Sequence, residues 1–140
     1  MSDSFCFLTV ENVLAINRRM IAEFGGDAGV RDPCLLESAV MMPAARFSGE
    51  YVHEGIPAMA AAYLFHICKN HAFMDGNKRT ALASAAIFIQ LNNMQLIATD
   101  DELERITIGV AEGSLTKDDA LEFFRRHVVA ENAKGKGANL

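Results

Sequence analysis

The chain has 140 residues and a formal net charge of −5 at pH 7, and 51% of its residues are hydrophobic. This size fits one domain, and the hydrophobic content allows a packed core, which excludes a globally disordered chain. The acidic balance argues against nucleic-acid binding through a general basic surface, and no apolar run approaches the roughly 20 residues that span a bilayer.

The first part of the chain predicts two helices followed by a loop or small hairpin. Thr9 is placed to cap a helix whose apolar residues follow a 3.6-residue period until a Gly-Gly pair ends it. Asp32, followed by proline, has the residue types of a second helix start, and Pro43 ends or kinks that helix. Residues 47–55 mix glycine, polar and aromatic residues without a helical period, which is typical of an exposed loop or hairpin.

Two longer helices are expected in the middle of the chain. The third opens at Pro57 and runs to about Asn70, with its apolar residues on one stripe. After a stretch without periodicity, the fourth runs from about Asn77 to Asn92 and is apolar nearly all round. Such a helix is usually central, with neighbours on several sides.

The last third predicts two more helices. Residues 95–99 are interpreted as a short extended connection, and Asp100 is expected to cap a fifth helix that Gly113 ends. Thr116, with an acidic residue three positions on, resembles the capping box of a sixth helix that includes Val128.

The whole pattern predicts a single all-α domain. Residues 1–130 are expected to form a compact bundle of about six helices with a central apolar helix, and the polar residues 131–140 a disordered tail. The three cysteines lie far apart without a CxxC pair, and they favour a reducing environment over a disulfide framework. The N-terminus lacks the basic start and apolar core of a signal peptide. We therefore expect a cytoplasmic protein.

The segment HAFMDGNKRT, residues 71–80, has the residue types of a phosphate site between two helices. Gly76 allows a ligand to approach the backbone closely. The N–H groups of residues 77–79 are unpaired donors at the positive end of the fourth helix, an arrangement that binds anions. Asp75 suits this position if Mg²⁺ lies between its carboxylate and a phosphate.

Basic charge is concentrated at the same place. Residues 69–79 hold three cations and one carboxylate, a local charge of +2 in a chain of net charge −5. These charged residues are Lys69, Lys78, Arg79 and Asp75. Lysine and arginine donors suit phosphate oxygens, and cations at a helix N-terminus oppose the dipole unless an anion is bound there.

His71 is the candidate general base. It lies four residues after Ile67 and eight after Tyr63, so it is expected to continue the inward stripe of the third helix and to point toward the loop. A neutral imidazole there can take the proton from a hydroxyl that attacks a bound phosphate. Phe73 is expected to be the buried anchor of the loop.

Each of these residues also has a purely structural interpretation. Asp75 could be only the N-cap of the fourth helix, and His71 a helix-end histidine bonded to a carbonyl. Lys69 could be a solvated lysine at a helix C-terminus. His53, in the loop, is as compatible with an exposed position as with substrate contact, and His66 is interpreted as hydrogen-bonded at the edge of the core.

The segment HAFMDGNKRT resembles the signature of the Fic/Doc family, and its GNKRT ending resembles the Doc branch. The similarity extends to FGGDAGVRDP and TALASAAIFIQLNN and covers about residues 8–128. By position, residues 47–55 resemble the flap that holds target peptides in Fic proteins. The autoinhibitory pattern [ST]xxxE[GN] of some Fic proteins is absent, because Glu112-Gly113 is preceded by Ile108 at the hydroxyl position.

The sequence departs from the Fic pattern HPFx[DE]GNGRxxR at three positions. Ala72 replaces the proline, Lys78 the second glycine and Leu82 the final arginine. A lysine side chain in place of that glycine is expected to change how the nucleotide lies. In Doc the implication is that ATP presents its γ-phosphate, so that the enzyme is a protein kinase.

The resemblance implies site residues, cofactors and partners. The implied catalytic residues are His71, Asp75, Lys78 and Arg79. The implied binding residues for ATP are Gly76, Asn77, Lys78, Arg79 and Lys69, with Asp75 as the Mg²⁺ ligand. The implied target is a threonine of elongation factor Tu or of another translation protein, whose phosphorylation arrests translation.

A Phd-type antitoxin that folds into a groove on the toxin is the other implied partner, with no direct contact to nucleic acid or membrane. Two alternatives stay open at this point. One is a Fic-type protein adenylyltransferase, and the other is a catalytically inert module that binds an antitoxin.

Overall fold

The computed structural model describes residues 4–131, and within them the chain folds into six α-helices with two small antiparallel ribbons. In chain order these are α1 (Val10–Phe24), α2 (Pro33–Met41), a 3₁₀ turn (Met42–Ala44), β1 (Arg46–Phe47), β2 (Glu50–Tyr51), α3 (Ile56–Asn70), α4 (Asn77–Leu91), β3 (Met94–Leu96), α5 (Asp100–Glu112), α6 (Lys117–His127) and β4 (Val128–Ala130). The mostly helical bundle predicted from the sequence is confirmed. None of the helices in this part of the chain has the length and apolar content needed to cross a membrane. Of the predicted tail, residues 131–140, all but Glu131 lie outside the described residues, and the N–H of Glu131 donates to the carbonyl of Asn93 at 3.2 Å.

Side-chain caps set where four of the helices begin. The capping residues are Thr9, Asp32, Thr99 and Thr116. Three of them are as predicted, but the fifth helix is capped by Thr99, and Asp100 is its first helical residue. The reason is a capping box, in which the side chains of Thr99 and Glu102 each bond the backbone N–H of the other.

Helix α3 is the most enclosed element of the bundle. It packs against α2, α4, α5, α6 and the 3₁₀ turn, and residues 59–64 are all buried. Helix α4 packs against α1, α3, α5 and β3, as its apolar composition predicts, but part of its surface is only half-buried. The two helices therefore form the centre of the fold, and they meet at the connecting segment 71–76.

Strands β1 and β2 form a hairpin in the region where one was expected. Arg46 lies opposite Tyr51, and the turn between the strands holds Ser48 at φ 54° and Gly49 at φ 82°. Two consecutive positive φ angles are the requirement of the tight turns that suit the twist of a hairpin.

Strands β3 and β4 form a second ribbon that the sequence did not predict. Gln95 lies opposite Val129, and the N–H of Ile97 donates to the carbonyl of His127 at 2.8 Å. Helix α6 therefore ends at His127, and the prediction that Val128 belongs to it is wrong, because β3 draws residues 128–130 into an extended pair.

Candidate active site

The segment that connects α3 to α4 pairs with an extended stretch of chain that precedes α2. The N–H of Met74 donates to the carbonyl of Gly29 at 3.0 Å, and the N–H of Arg31 donates to the carbonyl of Ala72 at 2.7 Å. These backbone hydrogen bonds fix one side of residues 71–76, so the backbone of the loop has a defined conformation.

Phe73 anchors this loop, as predicted. It is 1% exposed, its N–H donates to Oδ1 of Asn77 at 3.0 Å, and its carbonyl accepts from Nδ2 of Asn77 at 3.0 Å. Both ends of the Asn77 amide are thus used to close the loop. The backbone N–H of Asn77 and one hydrogen on its Nδ2 remain as donors for an anion at this site.

Asn17 of α1 holds the loop from the other side, and sequence reasoning missed it. Its Nδ2 donates to the carbonyl of Asp75 at 3.0 Å and to Oγ1 of Thr80 at 3.1 Å. Asn17 is 2% exposed. One signal was available, since a polar residue four positions after Val13 interrupts the apolar stripe of α1.

The amino end of α4 has no side-chain cap. Gly76 is its N-cap at φ 77°, so the interpretation of Asp75 as the cap is wrong. A Cβ atom on Gly76 would lie 3.2 Å from Cδ1 of Ile21 and 3.3 Å from Nδ2 of Asn17, so a side chain here would crowd both neighbours as well as adopt an unfavourable φ. The first N–H groups of a helix have no partner within it, so residues 77–79 present three donors at the positive end of the dipole.

Asp75, two residues before those donors in the chain, is exposed. Its Oδ2 accepts from the N–H of Asp27 at 2.7 Å, which fixes the group and leaves most of its lone-pair positions free. Within residues 4–131 no three His, Cys, Asp or Glu side chains are grouped to hold a metal ion. A cation at Asp75 would therefore take its other ligands from phosphate and water, which is the habit of Mg²⁺.

The three basic side chains near the loop are held in different ways. The guanidinium of Arg79 lies 4.2 Å from the ring centroid of Phe24, a cation–π contact that orients it and leaves its N–H donors usable. Lys78 is exposed on the first turn of α4. Nζ of Lys69 lies 3.8 Å from the place of a Cβ on Gly113, at the C-terminal end of α5. This position favours a structural role for Lys69, and its contact with a cofactor stays a prediction.

His71 does not continue α3. The helix ends at Asn70, and His71 is its C-cap in a left-handed conformation, with φ 50° and ψ 48°. The side chain is exposed. The expectation that His71 lies on the inward stripe is therefore wrong, because a left-handed residue breaks the helical period.

Arg31 fixes this unusual position, and no role was predicted for it. Its Nε donates to the carbonyl of His71 at 2.9 Å, and its Nη2 donates to the same oxygen. A left-handed non-glycine residue costs about 1–3 kcal/mol, which two hydrogen bonds from one guanidinium can offset. The two residues are 40 positions apart, so the sequence alone does not reveal the contact.

The chain is similar in sequence to known proteins. A profile of the Fic/DOC family matches residues 7–89 of the chain. The chain belongs to this family. Protein kinase doc of Escherichia phage P1 is 31% identical to it over 119 residues, which are 85% of this chain and 93% of that protein. Toxin Doc of Mycolicibacterium smegmatis (strain ATCC 700084 / mc(2)155) is 45% identical over 78 residues, which are 56% of this chain and 60% of that protein.

Both relatives carry the name Doc, so the resemblance to the Doc toxin branch is confirmed. The family match covers α1 to α3, the whole loop between α3 and α4, and all but the last two residues of α4. The chain is thus a Doc-like toxin in sequence, and the first turn of α4 carries lysine at position 78, where the Fic pattern has glycine.

The β1–β2 hairpin of this Fic/DOC chain lies away from the loop. Tyr51 packs against Phe7, which stacks on Phe88 near the C-terminal end of α4. The eleven-residue step from Asn77 to Phe88 spans about 16 Å of helix. The positional resemblance of residues 47–55 to a peptide-holding flap is therefore corrected, since the stretch that pairs with the loop is the one before α2.

The other two interpretations of histidines have different outcomes. His53 is 9% exposed, so of its two interpretations the exposed position is wrong, and substrate contact stays a prediction. His66 is half-buried on α3, and its Nε2 lies 2.9 Å from Nζ of Lys117, which agrees with a hydrogen-bonded histidine at the edge of the core.

Proposed function

We propose that this chain is a toxin kinase that transfers the γ-phosphate of ATP to a threonine hydroxyl of a translation protein, with elongation factor Tu as the expected target, and so arrests translation in the cytoplasm. The observation that carries the proposal is the uncapped, glycine-initiated amino end of α4, six residues after an exposed histidine. The name of the phage P1 relative, a protein kinase, favours phosphoryl transfer over adenylyl transfer.

The amino end of α4 supplies the phosphate-binding half of the proposed site. The backbone N–H groups of residues 77–79 and the helix dipole attract an anion without any rearrangement. Lys78 and Arg79 add charge on the same turn, and Phe24 keeps the guanidinium of Arg79 in place. Gly76 lets an anion approach the backbone as closely as a hydrogen bond requires.

Asp75 is the residue proposed to hold Mg²⁺. ATP would supply the phosphoryl group, and Mg²⁺ would neutralise charge on its phosphates. The hydrogen bond from Asp27 fixes the carboxylate, so it does not have to be ordered when a cation binds. The carbonyl of Asp75 is held by Asn17, which restrains the same residue through its backbone.

His71 is the residue proposed to take the proton of the target hydroxyl. Its exposed ring is accessible to a protein substrate, and Arg31 restrains its backbone. Catalysis of this kind depends mainly on positioning and on charge stabilisation, which is what a clamped loop provides. A cavity of about 230 Å³ lies beside the loop, and Asn17 and Phe73 are among its walls, so a side chain of the target has space close to the site.

The replacement His71→Ala tests the proposal directly. We expect it to lower phosphate transfer to elongation factor Tu by about 10²–10⁴-fold, because that is the usual contribution of a general base. Transfer is measured with ATP labelled at the γ or at the α position, and the growth of cells that express the chain is recorded in parallel. His127→Ala, which changes a histidine on α6, is the matched control and should keep full transfer.

The outcomes separate the three candidate functions. Label from the γ position on the target supports the kinase, and label from the α position would show an adenylyltransferase. Growth arrest that survives His71→Ala, in a protein whose circular dichroism is unchanged, would leave only a binding module.

A Phd-type antitoxin is the partner that we propose for the chain. The name Toxin Doc on one relative supports such a pair, and the chain lacks the autoinhibitory pattern of some Fic proteins. A small Phd-like reading frame next to the gene, whose product restores growth when the two are expressed together, is the expected finding.

A further inference from the structure

The turn that follows α1 lies against the side chain of Asp75. This turn consists of Gly25, Gly26 and Asp27, directly after Phe24, the last residue of α1. The N–H of Asp27 donates to Oδ2 of Asp75 at 2.7 Å, and the two residues are 48 positions apart in the sequence. The carboxylate proposed to hold Mg²⁺ is therefore restrained by a part of the chain outside the motif.

Gly26 is the point of closest approach between this turn and Asp75. A Cβ atom on Gly26 would lie 3.0 Å from Cβ of Asp75 and 3.3 Å from its Cγ, the carbon of the carboxylate. Contacts of this length are tighter than nine in ten real Cβ contacts, so the neighbour would have to move by a few tenths of an ångström. Because the crowded atoms include the base of the Asp75 side chain, a side chain at position 26 would displace the carboxylate itself.

Ile21 of α1 closes the other side of the same space. Its Cδ1 lies 3.2 Å from the place of a Cβ on Gly26, and it lies at the same distance from the place of a Cβ on Gly76. One methyl group therefore fills the space beside both glycines. A side chain at position 26 would meet Asp75 and Ile21 together, so the turn could not relieve the crowding by moving toward α1.

The backbone of Gly26 also directs the hydrogen bond to Asp75. Its φ is 114°, a value that residues with a side chain rarely adopt. The peptide group that joins Gly26 to Asp27 carries the N–H that donates to the carboxylate. A residue with a side chain at position 26 favours negative φ, which would turn this peptide group and move the N–H away from Oδ2.

The neighbouring Gly25 has a similar backbone without the contact. Its φ is 92°, and apart from its chain neighbours no atom of residues 4–131 lies within 4 Å of the place of an added Cβ. A side chain at Gly25 therefore adds backbone strain alone, whereas one at Gly26 adds strain and displaces Asp75. The two adjacent glycines can be used to separate these effects.

We propose that Gly26 is a positioning residue, which sets the place of the Asp75 carboxylate so that it can hold a divalent cation on the phosphates of a nucleotide. This inference rests on the proposed function, to which the cation and the nucleotide belong. Glycine is thus required at position 26 by the site as well as by the turn. Groups that orient a metal-binding side chain commonly contribute about 10–100-fold to metal affinity.

The first test needs neither a cation nor a nucleotide. The carboxyl carbon of Asp75, which is adjacent in sequence to neither glycine, is followed by nuclear magnetic resonance in the unmodified chain, Gly26→Ala and Gly25→Ala. We expect its signal to shift in Gly26→Ala, because the carboxylate loses the hydrogen bond from Asp27, and to stay in place in Gly25→Ala. A signal that Gly26→Ala leaves in place would overturn the proposal.

The second test measures the contribution of the cation. The dissociation constant of ADP is measured by calorimetry with and without Mg²⁺. We expect Gly26→Ala to weaken binding about tenfold when Mg²⁺ is present and to leave binding of ADP alone nearly unchanged, because the N–H groups of residues 77–79 are untouched. An unchanged constant with Mg²⁺, or an equal loss with and without it, would overturn the proposal.

Gly25→Ala is the matched control for backbone strain. It should keep both dissociation constants, although its thermal midpoint should fall about as much as that of Gly26→Ala. Gly26→Asn provides a second variant, since asparagine tolerates positive φ better than alanine and still carries a Cβ. It should also weaken binding in the presence of Mg²⁺, and full affinity in Gly26→Asn would overturn the crowding on which the proposal depends.

Failure of the proposed function has a different signature. If the unmodified chain binds ADP no better with Mg²⁺ than without it, the proposed cation site is wrong. The carboxyl signal of Asp75 in the chain without ligands then still decides whether Gly26 positions that side chain.

Discussion

At the residue scale, the candidate active site depends on two side chains that donate hydrogen bonds to main-chain carbonyl oxygens of the loop. Arg31 holds the carbonyl of His71, and Asn17 holds the carbonyl of Asp75. Arg31 and Asn17 both lie far from the motif in the sequence. They act on the geometry of the loop and have no predicted contact with phosphate, so they are positioning residues.

Arg31→Lys is expected to lower turnover about tenfold or more at saturating ATP. A lysine cannot make two parallel hydrogen bonds to one oxygen, so the left-handed His71 loses part of its support. The KM for ATP should change little, because the amino end of α4 is untouched. Turnover, KM and thermal midpoint are measured together, with Arg105→Lys on α5 as the control. Equal turnover in the two variants would contradict a positioning role.

The residue scale is also where sequence reasoning was least complete. The motif itself, its buried Phe73 and the glycine that starts α4 were all visible in the sequence. The supporting contacts of Arg31 and Asn17 were not, because they join residues 40 and 58 positions apart and no local pattern encodes such a pairing.

At the scale of elements, the helices could be predicted because caps, glycines and a 3.6-residue period all act locally. The predicted start of α5 was one residue too late. Thr99 and Asp100 are both good capping residues, and only the capping box decides between them. The β3–β4 ribbon was missed because strands of three residues show no period and their pairing is long-range.

Gly76→Ala tests how the start of α4 is built. We expect a loss of about 1–3 kcal/mol in unfolding free energy, since an alanine would adopt an unfavourable positive φ and its Cβ would crowd Ile21 and Asn17. Unfolding in urea measures the loss. Gly49→Ala is a matched control, because Gly49 has φ 82° but no atom within 4 Å of the added Cβ. A smaller loss in Gly49→Ala is expected, and equal losses would show that crowding contributes nothing.

At the scale of the whole molecule, charge is distributed unevenly between two polar sites. The chain is acidic overall, but residues 69–79 carry a charge of +2, and Lys117, beside His66 and His53, has no carboxylate ion-pair partner among residues 4–131. Charge counting could find the first of these sites. It could not find the second, because His53, His66 and Lys117 come together only when β2, α3 and α6 are packed.

Acidification should lower the stability of the fold, and His66 is the residue responsible. Its pKa is about 4 in the folded protein and about 6.5 when exposed, so the unfolded state takes up the proton first. The contribution of the neutral His66 ring to the free energy of unfolding is complete above pH 6.5, and it is lost as the pH falls from 6.5 toward 4. For a half-exposed ring this loss is about 1–2 kcal/mol after solvent screening is allowed for.

Urea unfolding at pH 7.5, 6.0 and 5.0 measures this dependence. His66→Gln, which has no proton to gain in this range, should flatten the slope, and His127→Gln should leave it near that of the unmodified chain. The lowered pKa of His53 acts in the same direction, so some slope should persist in His66→Gln. A slope that His66→Gln does not reduce would contradict the assignment.

The double hydrogen bond between Asn77 and Phe73 has a consequence for nucleotide capture. Because these two hydrogen bonds close the loop in the free chain, the proposed binding of a nucleotide would require no disorder-to-order transition there. The entropy that a mobile loop would lose on binding has already been lost during folding, so affinity is not reduced by it. The proposed nucleotide site would therefore be formed in the free chain before any nucleotide arrives.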